Sequence, residues 1–402
     1  MVTEWKNKKI GDILDFKNGL NKSKEFFGYG TPIVNYTDVY HHSGLLAENI
    51  KGKVSLSQDE IKRFEVRKGD VFFTRTSETP EEVGISSVLL EDIDDCVFSG
   101  FVLRGRPKND ALAPEYCKYC FSTKAVRAEI VKNCTYTTRA LTNGHVLSAI
   151  EIPVPEKSEQ KDIANILTLM EEHIANLSEL IEKKRAIRDG AMTDLLSGAT
   201  RLEGCVSKWG KTTIGSCADI YQGGTPKTTN NSYWNGNIIW VTPGEVTKNG
   251  SLFIYDSERK ITESGVQNSS ACILPEGTIL LCTRATIGAL AIAGRAMATN
   301  QGFKNLICKR GIDNVFFAYL LLTLKSEMIR RAIGTTFLEI SKSALSSIEI
   351  TIPEYGEQKA IASVLTAMEE EIQSLEEERN KIIQIREAAM NGLLTGQVRL
   401  AK

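Results

Sequence analysis

The stretch EQKDIANIL (residues 159–167) returns as EQKAIASVL (residues 357–365), 198 positions further along the chain. The match continues without a gap until RDGAMTDLLSGATRL (188–202) lies over REAAMNGLLTGQVRL (386–400). A repeat at a fixed offset indicates a duplicated structural unit. We therefore predict a chain of two pseudo-repeated halves. The alternative is a chance similarity between two amphipathic helices.

The parts of the two halves that precede these tails match more loosely and require small gaps. The corresponding positions are Trp5 and Trp209, Ile10-Gly11 and Ile214-Gly215, Thr74-Arg75 and Thr283-Arg284, Gly100-Phe101 and Gly302-Phe303, and Thr137-Thr138 and Thr335-Thr336. Each half is therefore predicted to be a variable body followed by a near-identical tail. We name residues 1–155 body 1 and residues 204–353 body 2; the tails are residues 156–203 and 354–402.

Each tail is predicted to form one long helix. Pro155 and Pro353 close the strand-like runs before the tails, and Gly198 and Gly396 are natural helix stops. Apolar residues recur at alternating spacings of four and three, which is a heptad seam. This pattern favours two helices that pack on each other; the alternative is that each helix packs on its own body. The seam residues are Ile163, Leu167, Met170, Ile174 and Leu177 in the first tail and Ile361, Leu365, Met368, Ile372 and Leu375 in the second.

The bodies mix short strand-like runs with at least one helix each, which predicts an α+β fold. Strand-like runs include GDVFFTR (69–75) and GTILLCTR (277–284), and helix-like runs include residues 114–130 and 314–333. Basic side chains are densest late in each body. Basic patches at matching places in two repeats favour two equivalent surfaces for a polyanion. The alternative for each patch is an ordinary solvated surface.

The overall composition narrows the class of protein. The 402 residues are 42% hydrophobic and 25% charged, as in ordinary globular proteins, and the formal net charge is -1. A nucleic-acid-binding protein with this charge must rely on local basic patches or on a partner. No apolar run is long enough to span a bilayer, the first residues lack the apolar core of a signal peptide, and nine scattered cysteines suit reduced thiols. We therefore expect a cytoplasmic protein.

No motif of catalytic or cofactor chemistry is legible. The run GCVSKWGKTT (204–213) has one residue too many between its glycines to be a phosphate-binding loop. The Glu-x-Lys triplets at the two helix starts resemble half of a nuclease site, but no aspartate on a preceding strand completes it. Cys117 and Cys120 have no second Cys/His pair at metal-binding spacing. We therefore predict a binding protein without a metal ion or a cofactor.

Two variable bodies, each closed by a Pro-terminated strand, an E-Q-K helix start and a long seamed helix, resemble the specificity (S) subunit of type I restriction-modification systems. The sequence motifs most typical of this family lie in body 2. They are GGTPKTTNNSYWNGNIIWVTPGEV (223–246), TRATIGALAI (283–292), ATNQGF (298–303) and GTTFLEIS (334–341). Body 1 departs from the last two runs, with FSGF (98–101) and YTTRALT (136–142) in their places. Such divergence is expected of bodies that read different bases.

The resemblance implies a non-catalytic subunit of a DNA methyltransferase and restriction endonuclease complex. It implies two target-recognition domains, residues 1–155 and 204–353, joined by two spacer helices, residues 156–203 and 354–402, that form an antiparallel coiled coil. The implied partners are double-stranded DNA with a bipartite target and two methyltransferase (modification) subunits, and motor-nuclease (restriction) subunits are allowed as well. The alternative from another class is a structural adaptor whose two domains bind proteins rather than DNA. A self-contained methyltransferase or nuclease is the weakest alternative.

Position and charge indicate which side chains would contact DNA. Arg75 and Arg284 follow strand-like runs at matching places, and an arginine can bond a guanine edge with two hydrogen bonds. The other basic side chains late in each body are expected to contact phosphates, which position a protein without specifying sequence. These side chains are Lys124, Arg127 and Arg139 in body 1 and Lys304, Lys325, Arg330 and Arg331 in body 2.

Overall fold

The computed structural model describes residues 5–136, 138–284, 286–334 and 338–400. The predicted match of Thr137 with Thr335, and of Thr138 with Thr336, therefore involves residues outside these ranges. No helix within the described ranges is both long and apolar enough to cross a membrane.

The chain divides into two compact units, and one of them is discontinuous in sequence. Unit 1 comprises Met1–Glu179 together with Glu376–Lys402, and unit 2 comprises Leu180–Leu375. Body 1 lies in unit 1 and body 2 in unit 2, and each long helix contributes one of its ends to each unit. The compact units therefore do not follow the linear order of bodies and tails.

Body 1 is a mixed structure of short helices and strands, and the first long helix, α7, follows it. Its strands are β1 (Lys6–Lys9), β2 (Leu14–Asn18), β3 (Phe27–Val34), β4 (Gly44–Leu45), β5 (Lys53–Val54), β6 (Val71–Thr74), β7 (Thr76–Ser77), β8 (Ser86–Leu89), β9 (Val97–Phe98), β10 (Val102–Pro107), β11 (Thr135–Tyr136), β12 (Ala140–Leu141) and β13 (Glu151–Val154). The helices are α1 (Ile10–Ile13), α2 (Tyr36–His41), α3 (Gln58–Phe64), α4 (Pro114–Cys117), α5 (Lys124–Lys132), α6 (Gly144–Ala149) and α7 (Lys157–Ser197).

Body 2 repeats most of this series, without counterparts of β7, β11 and β12 among its described strands, and the second long helix, α14, follows it. Its strands are β14 (Gly210–Thr213), β15 (Ala218–Gln222), β16 (Trp234–Val241), β17 (Phe253–Ile254), β18 (Lys260–Ile261), β19 (Ile279–Cys282), β20 (Leu290–Ala293), β21 (Ala298–Thr299), β22 (Phe303–Cys308) and β23 (Glu349–Ile352). The helices are α8 (Ile214–Cys217), α9 (Pro243–Lys248), α10 (Glu263–Gln267), α11 (Asn314–Thr323), α12 (Lys325–Arg331), α13 (Lys342–Ser346) and α14 (Tyr355–Leu393).

The strands are arranged in the same order in both bodies. The five-stranded sheet runs β2-β10-β6-β8-β4 in body 1 and β15-β22-β19-β20-β17 in body 2. Two smaller sheets also correspond: β1-β13 matches β14-β23, and β5-β3-β9 matches β18-β16-β21. The central strands β6 and β19 read VFFT and ILLC and are buried throughout, as continuous apolar runs predict. The predicted α+β fold and internal repeat are confirmed, because the bodies are two copies of one fold.

The two long helices contribute to the hydrophobic cores of both units. In unit 1 the start of α7, at Ile163 and Leu167, packs with body 1, and so does the end of α14, at Leu393 and Leu394. Unit 2 has the reciprocal arrangement, with the start of α14 and the end of α7 in one core with body 2. Each helix start therefore packs on its own body, and each helix end packs on the body of the other repeat.

Two stretches predicted as single helices are each divided in two. Residues 114–130 contain α4 and the start of α5, because the Thr123 side chain accepts a hydrogen bond from the Val126 backbone N–H and starts a new helix. Residues 314–333 contain α11 and α12, which meet at Leu324. The predicted basic side chains therefore lie on short separate helices and on the turns beside them.

Candidate nucleic-acid interface

The glutamine of each E-Q-K triplet is a buried anchor between a long helix and its body. Gln160 is fully buried, and its Oε1 accepts a hydrogen bond from the Ala113 backbone N–H at 2.7 Å. Its Nε2 donates to the carbonyl oxygens of Ala111 and Pro155 at 2.8 and 2.9 Å. Gln358 makes the equivalent three hydrogen bonds in unit 2. The triplet therefore fixes the start of each helix on its body.

The glutamate of each triplet holds an arginine from the end of the opposite tail. Glu159 accepts two hydrogen bonds from Arg399, at 2.7 and 2.8 Å, and this pairing raises the pKa of Arg399. The Trp5 indole N–H donates to the same carboxylate at 3.0 Å, and the Arg399 guanidinium lies 5.2 Å from the Trp5 ring centre. In unit 2, Glu357 and Arg201 form the same bidentate pair, at 2.6 Å for both bonds. The triplet glutamates are therefore engaged in structural ion pairs.

Further ion pairs join α7 to α14 within each unit. In both units the residue numbers rise along α7 as they fall along α14, so the paired stretches run in opposite directions. Every predicted seam residue is buried or half-buried. The ion pairs are Glu171 with Arg386 at 3.7 Å in unit 1, and Lys184 with Glu371 at 2.7 Å and Arg188 with Glu369 at 2.6 Å in unit 2. In unit 1, His173 Nε2 also lies 3.5 Å from a carboxylate oxygen of Glu378.

Arg75 lies between β6 and β7, in the middle of a ladder of extended segments. Its backbone N–H donates to the Phe101 carbonyl at 3.0 Å, and its carbonyl accepts from the Thr142 N–H at 3.0 Å. Its Nη1 donates to the Gly100 carbonyl at 3.4 Å, whereas its Nε is buried and finds no hydrogen-bond partner among the described residues. The hairpin formed by β11 and β12 pairs with β7 through its second strand, β12. Arg75 is therefore a half-buried residue of the ladder.

The backbone hydrogen bonds correct the predicted match between Arg75 and Arg284. In body 2 it is Thr283 whose N–H donates to the Gly302 carbonyl at 2.8 Å and whose carbonyl accepts from the Ile340 N–H at 3.1 Å. Thr283 therefore corresponds to Arg75, and Arg284 lies one residue further along. The predicted match was wrong by one residue. It aligned the dipeptide Thr-Arg that both bodies contain, but the backbone hydrogen bonds of the ladder align Arg75 with Thr283. Neighbouring side chains of an extended chain point in opposite directions, and Arg284 is exposed.

Lys304, which the sequence predicts as a phosphate contact, is buried in β22. Only 3% of its surface is exposed, and its ammonium forms an ion pair with Glu339 at 3.1 Å. The backbone of Glu339 pairs in turn with Arg284 and with Ile333. The ion pair therefore supports the ladder of body 2, and this placement argues against a phosphate contact by Lys304.

The three basic side chains predicted late in body 1 lie in different surroundings. Lys124 at the start of α5 and Arg139 beside β12 are exposed. Arg127 is instead half-buried, and its Nη2 donates to the carbonyls of Glu81 and Val83 at 2.7 and 2.8 Å. Burial lowers the pKa of Arg127. Lys124 and Arg139 are therefore accessible to solvent, while Arg127 ties α5 to the neighbouring turn.

The basic side chains of α12 in body 2 are partly neutralised. Lys325 and Arg330 are exposed, and Arg331 is half-buried. Arg330 and Arg331 share the carboxylate of Glu327, at 2.6 and 2.5 Å, and these two pairs lower the pKa of Glu327. The helix nevertheless keeps an excess of positive charge on its exposed side, which suits contact with phosphates.

Sequence reasoning missed two cation–aromatic clusters. In body 2 the exposed guanidinium of Arg259 lies 3.9 Å from the ring centre of Trp234. In body 1 the cationic groups of Lys17 and Arg63 each lie 5.4 Å from the Phe64 ring centre. Burial, followed by the charges of Arg104 and Arg63, lowers the pKa of Lys17. Apart from the sequence neighbours Arg63 and Phe64, these residues lie far apart in the chain, so the sequence offered no local signal for the clusters.

The structure gives no sign of a metal site within the described ranges. No cluster of three or more His, Cys, Asp or Glu side chains there is arranged to hold a metal ion. Cys117 and Cys120 are both buried in the core of unit 1, and burial raises the pKa of Cys120 well above its usual value. Both thiols therefore pack as small apolar groups.

A protein-family model matches both halves of the chain. The model, described as type I restriction modification DNA specificity domain, covers residues 3–184 and 206–384. The two matched stretches include both bodies and most of both long helices.

Named relatives agree with the family model. The putative type I restriction enzyme MjaX specificity subunit of Methanocaldococcus jannaschii is 25% identical over 411 residues, which cover 99% of this chain and 94% of that protein. The MjaIX specificity subunit from the same organism is 37% identical over 178 residues, and this match covers 44% of this chain and 41% of that protein. The EcoR124I/EcoR124II specificity subunit of Escherichia coli is 27% identical over 250 residues, covering 59% and 60%.

Solved structures share the fold. The S subunit of a type I restriction-modification system from M. genitalium is 17% identical, with a TM-score of 0.59 over 97% of this chain and 96% of that one. The HsdS subunit from Thermoanaerobacter tengcongensis is 16% identical, with a TM-score of 0.56 over 98% and 97%. With two copies of one fold, each ended by an anchored long helix and each matched by the family model, the chain belongs to the family of type I restriction-modification DNA specificity domains.

Proposed function

We propose that this chain is the sequence-specific DNA-recognition subunit of a type I restriction-modification complex. Bodies 1 and 2 are target-recognition domains, and each reads one half of a bipartite duplex target. The observation that carries this proposal is duplication with divergence: the bodies share one sheet order but present different side chains at matching ladder positions. Two domains that share a fold but present different side chains would recognise two half-sites of different sequence.

We further propose that α7 and α14 form an antiparallel coiled coil that seats two methyltransferase (modification) subunits. The buried seam and the ion pairs between the helices in each unit support the coil. The anchored triplets recur in both units, and Lys161 and Lys359 are exposed at the matching positions of the two helices. Two identical partners bind best to two equivalent surfaces. Motor-nuclease (restriction) subunits are compatible with the same assembly.

The proposed functional division assigns residues 1–155 and 204–353 to recognition and residues 156–203 and 354–402 to the spacer helices. The subunit itself is proposed to be non-catalytic and to need no cofactor, since methyl transfer and DNA cleavage belong to its partners. As a reader of host and incoming DNA, it acts in the cytoplasm.

The test uses the full chain purified with its cognate modification subunits. Native mass spectrometry is expected to find two modification subunits per chain. Selection from a random duplex library is expected to enrich a sequence with two specified parts separated by an unspecified gap, and binding should weaken steeply with salt. A single uninterrupted motif, or no enrichment at all, would count against the proposal.

A further inference from the structure

We propose that body 1 reads its half-site through two exposed aromatic rings, Phe101 and Tyr136, which contact bases directly, whereas body 2 has glycines at both matching positions. This inference rests on the proposed function and names the contact by which one body performs it. The two bodies would then read DNA by different chemistry despite their common fold.

The first match follows from the ladder around Arg75. The Phe101 carbonyl accepts the Arg75 N–H, as the Gly302 carbonyl accepts the Thr283 N–H. Phe101 and Gly302 are therefore equivalent, and the match of Gly100-Phe101 with Gly302-Phe303 predicted from the sequence was wrong by one residue. A ring stands in body 1 where body 2 has bare backbone.

The second match follows from the hairpin of the same ladder. Thr135 pairs with Leu141 in body 1, as Ile333 pairs with Glu339 in body 2. The next residues along the chain are Tyr136 and Gly334, so these two are equivalent. Both aromatic positions of body 1 are thus glycines in body 2.

Both rings are mostly exposed to solvent, although body 1 has a hydrophobic core. Phe101 is 61% exposed and Tyr136 is 59% exposed, whereas Phe98, three residues before Phe101, is fully buried. They lie on the two outer segments of one ladder, on either side of the segments that carry Arg75 and Thr142. Two ladder segments separate the rings, so each ring would contact the DNA on its own.

The two runs that carry the rings are themselves free of negative charge, although Glu82 accepts a hydrogen bond from Ser77 in the neighbouring strand β7. The runs FSGFV (98–102) and TYTTRALT (135–142) contain no acidic residue, and Arg139 in the second run is exposed. A ring can stack on a base or wedge between two bases, and both contacts depend on how readily the base step opens. In body 2, a Cβ at Gly302 would lie 3.0 Å from Asn300 Oδ1 and 3.0 Å from Pro243, so the space that a side chain would need there is already occupied.

The experiment uses complexes of the full chain with its modification subunits and measures Kd on three duplexes: the selected target, the target with its first half-site scrambled, and the target with its second half-site scrambled. The double variant Phe101→Ala/Tyr136→Ala is expected to bind the selected target at least roughly 30-fold more weakly. The double variant should bind the selected target and one of the two scrambled targets with the same Kd. The slope of log K against log salt should stay the same, because no charge is removed.

Arg139→Ala should instead weaken binding to all three duplexes and reduce that slope by about one.

Two controls separate a ring contact from a folding defect. Phe101→Tyr and Tyr136→Phe keep a ring and should keep the discrimination. Tyr29→Ala removes a 56%-exposed ring from β3 of the same body, outside the ladder, and should leave all three Kd values unchanged.

If the unaltered complex fails to distinguish the scrambled targets, the proposed function fails. If the unaltered complex distinguishes them and the double variant does so equally well, only the aromatic reading is overturned. Loss of modification subunits from the double variant, with its discrimination intact, would likewise overturn that reading, because the rings would then be protein contacts.

Discussion

Glutamine at positions 160 and 358 uses both ends of its side-chain amide, which explains its place in the repeated triplet. The carbonyl oxygen accepts one backbone N–H, and the NH2 group donates to two backbone carbonyls. A glutamate lacks the donors, and a leucine lacks donors and acceptor alike. Each buried backbone group left without its partner costs about 1–3 kcal/mol.

Replacing Gln160 with leucine leaves three backbone groups without this partner and is therefore expected to lower the free energy of unfolding of unit 1 by at least about 3 kcal/mol. Chemical denaturation of the full chain measures the change. Lys161→Ala is the matched control, because the neighbouring side chain is exposed, and it should change stability by less than about 0.5 kcal/mol. Equal effects of the two substitutions would show that Gln160 is no anchor.

The two ladder arginines are expected to respond differently to substitution. Arg75→Ala removes a half-buried guanidinium bonded to the Gly100 carbonyl and should lower stability by about 1–2 kcal/mol. Arg284→Ala removes an exposed side chain and should lower stability by less than about 1 kcal/mol. It should alter the selection of one half-site in a library experiment. A uniform loss of binding to every sequence would instead make Arg284 a phosphate contact.

Sequence reasoning found the repeated triplets but not the partners of their side chains. Gln160 binds a backbone group 47 positions away, and Glu159 pairs with Arg399, 240 positions away. Lys304 was predicted at the surface because nothing local reveals Glu339, 35 positions away, as its partner. Contacts of this kind depend on the fold as a whole, so a one-dimensional pattern of charge does not contain them.

At the scale of elements, periodic segments were predictable and short ones were not. The long helices follow from heptads that extend over several turns, and the observed helices, Lys157–Ser197 and Tyr355–Leu393, lie within the predicted tails. The strands β7, β11 and β12 have two residues each, which is too short for an alternating pattern to be seen. The ladder that carries the candidate base contacts was therefore visible only in the structure.

The seam is best tested at Leu177, because Leu167 also packs in the core of body 1. Leu177 is 6% exposed and lies outside the core clusters of both bodies. Leu177→Asp places a charge on the buried stripe and should lower the free energy of unfolding by at least about 3 kcal/mol, with weaker assembly with modification subunits. Leu169→Asp on the same helix is the control, since Leu169 is 64% exposed and should tolerate the charge. Comparable losses at the two positions would contradict a packed seam.

At the scale of the whole molecule, the duplication has produced one continuous and one discontinuous unit. Unit 2 is a single stretch of chain, whereas unit 1 is completed by residues from the far end of the sequence. Leu393 and Leu394, 5% and 1% exposed, belong to the core of unit 1, and Arg399 closes the pair with Glu159. The sequence did not predict that residues 376–402 belong to unit 1. The two halves are alike in sequence, but only the first half is followed directly by another body, so the end of the second tail must return to body 1.

The two units should consequently differ in their ability to fold alone. A fragment of residues 180–375 contains all of unit 2 and is expected to unfold in one cooperative transition. A fragment of residues 1–179 lacks two buried leucines, each of which contributes about 2–5 kcal/mol on truncation to alanine. It should therefore be unstable by itself, and a peptide of residues 376–402 added in trans should raise its melting temperature. The same peptide with Leu393→Ala and Leu394→Ala is the control and should have little effect. Cooperative melting of residues 1–179 at a temperature that the peptide does not change would show that unit 1 is complete without the end of the chain.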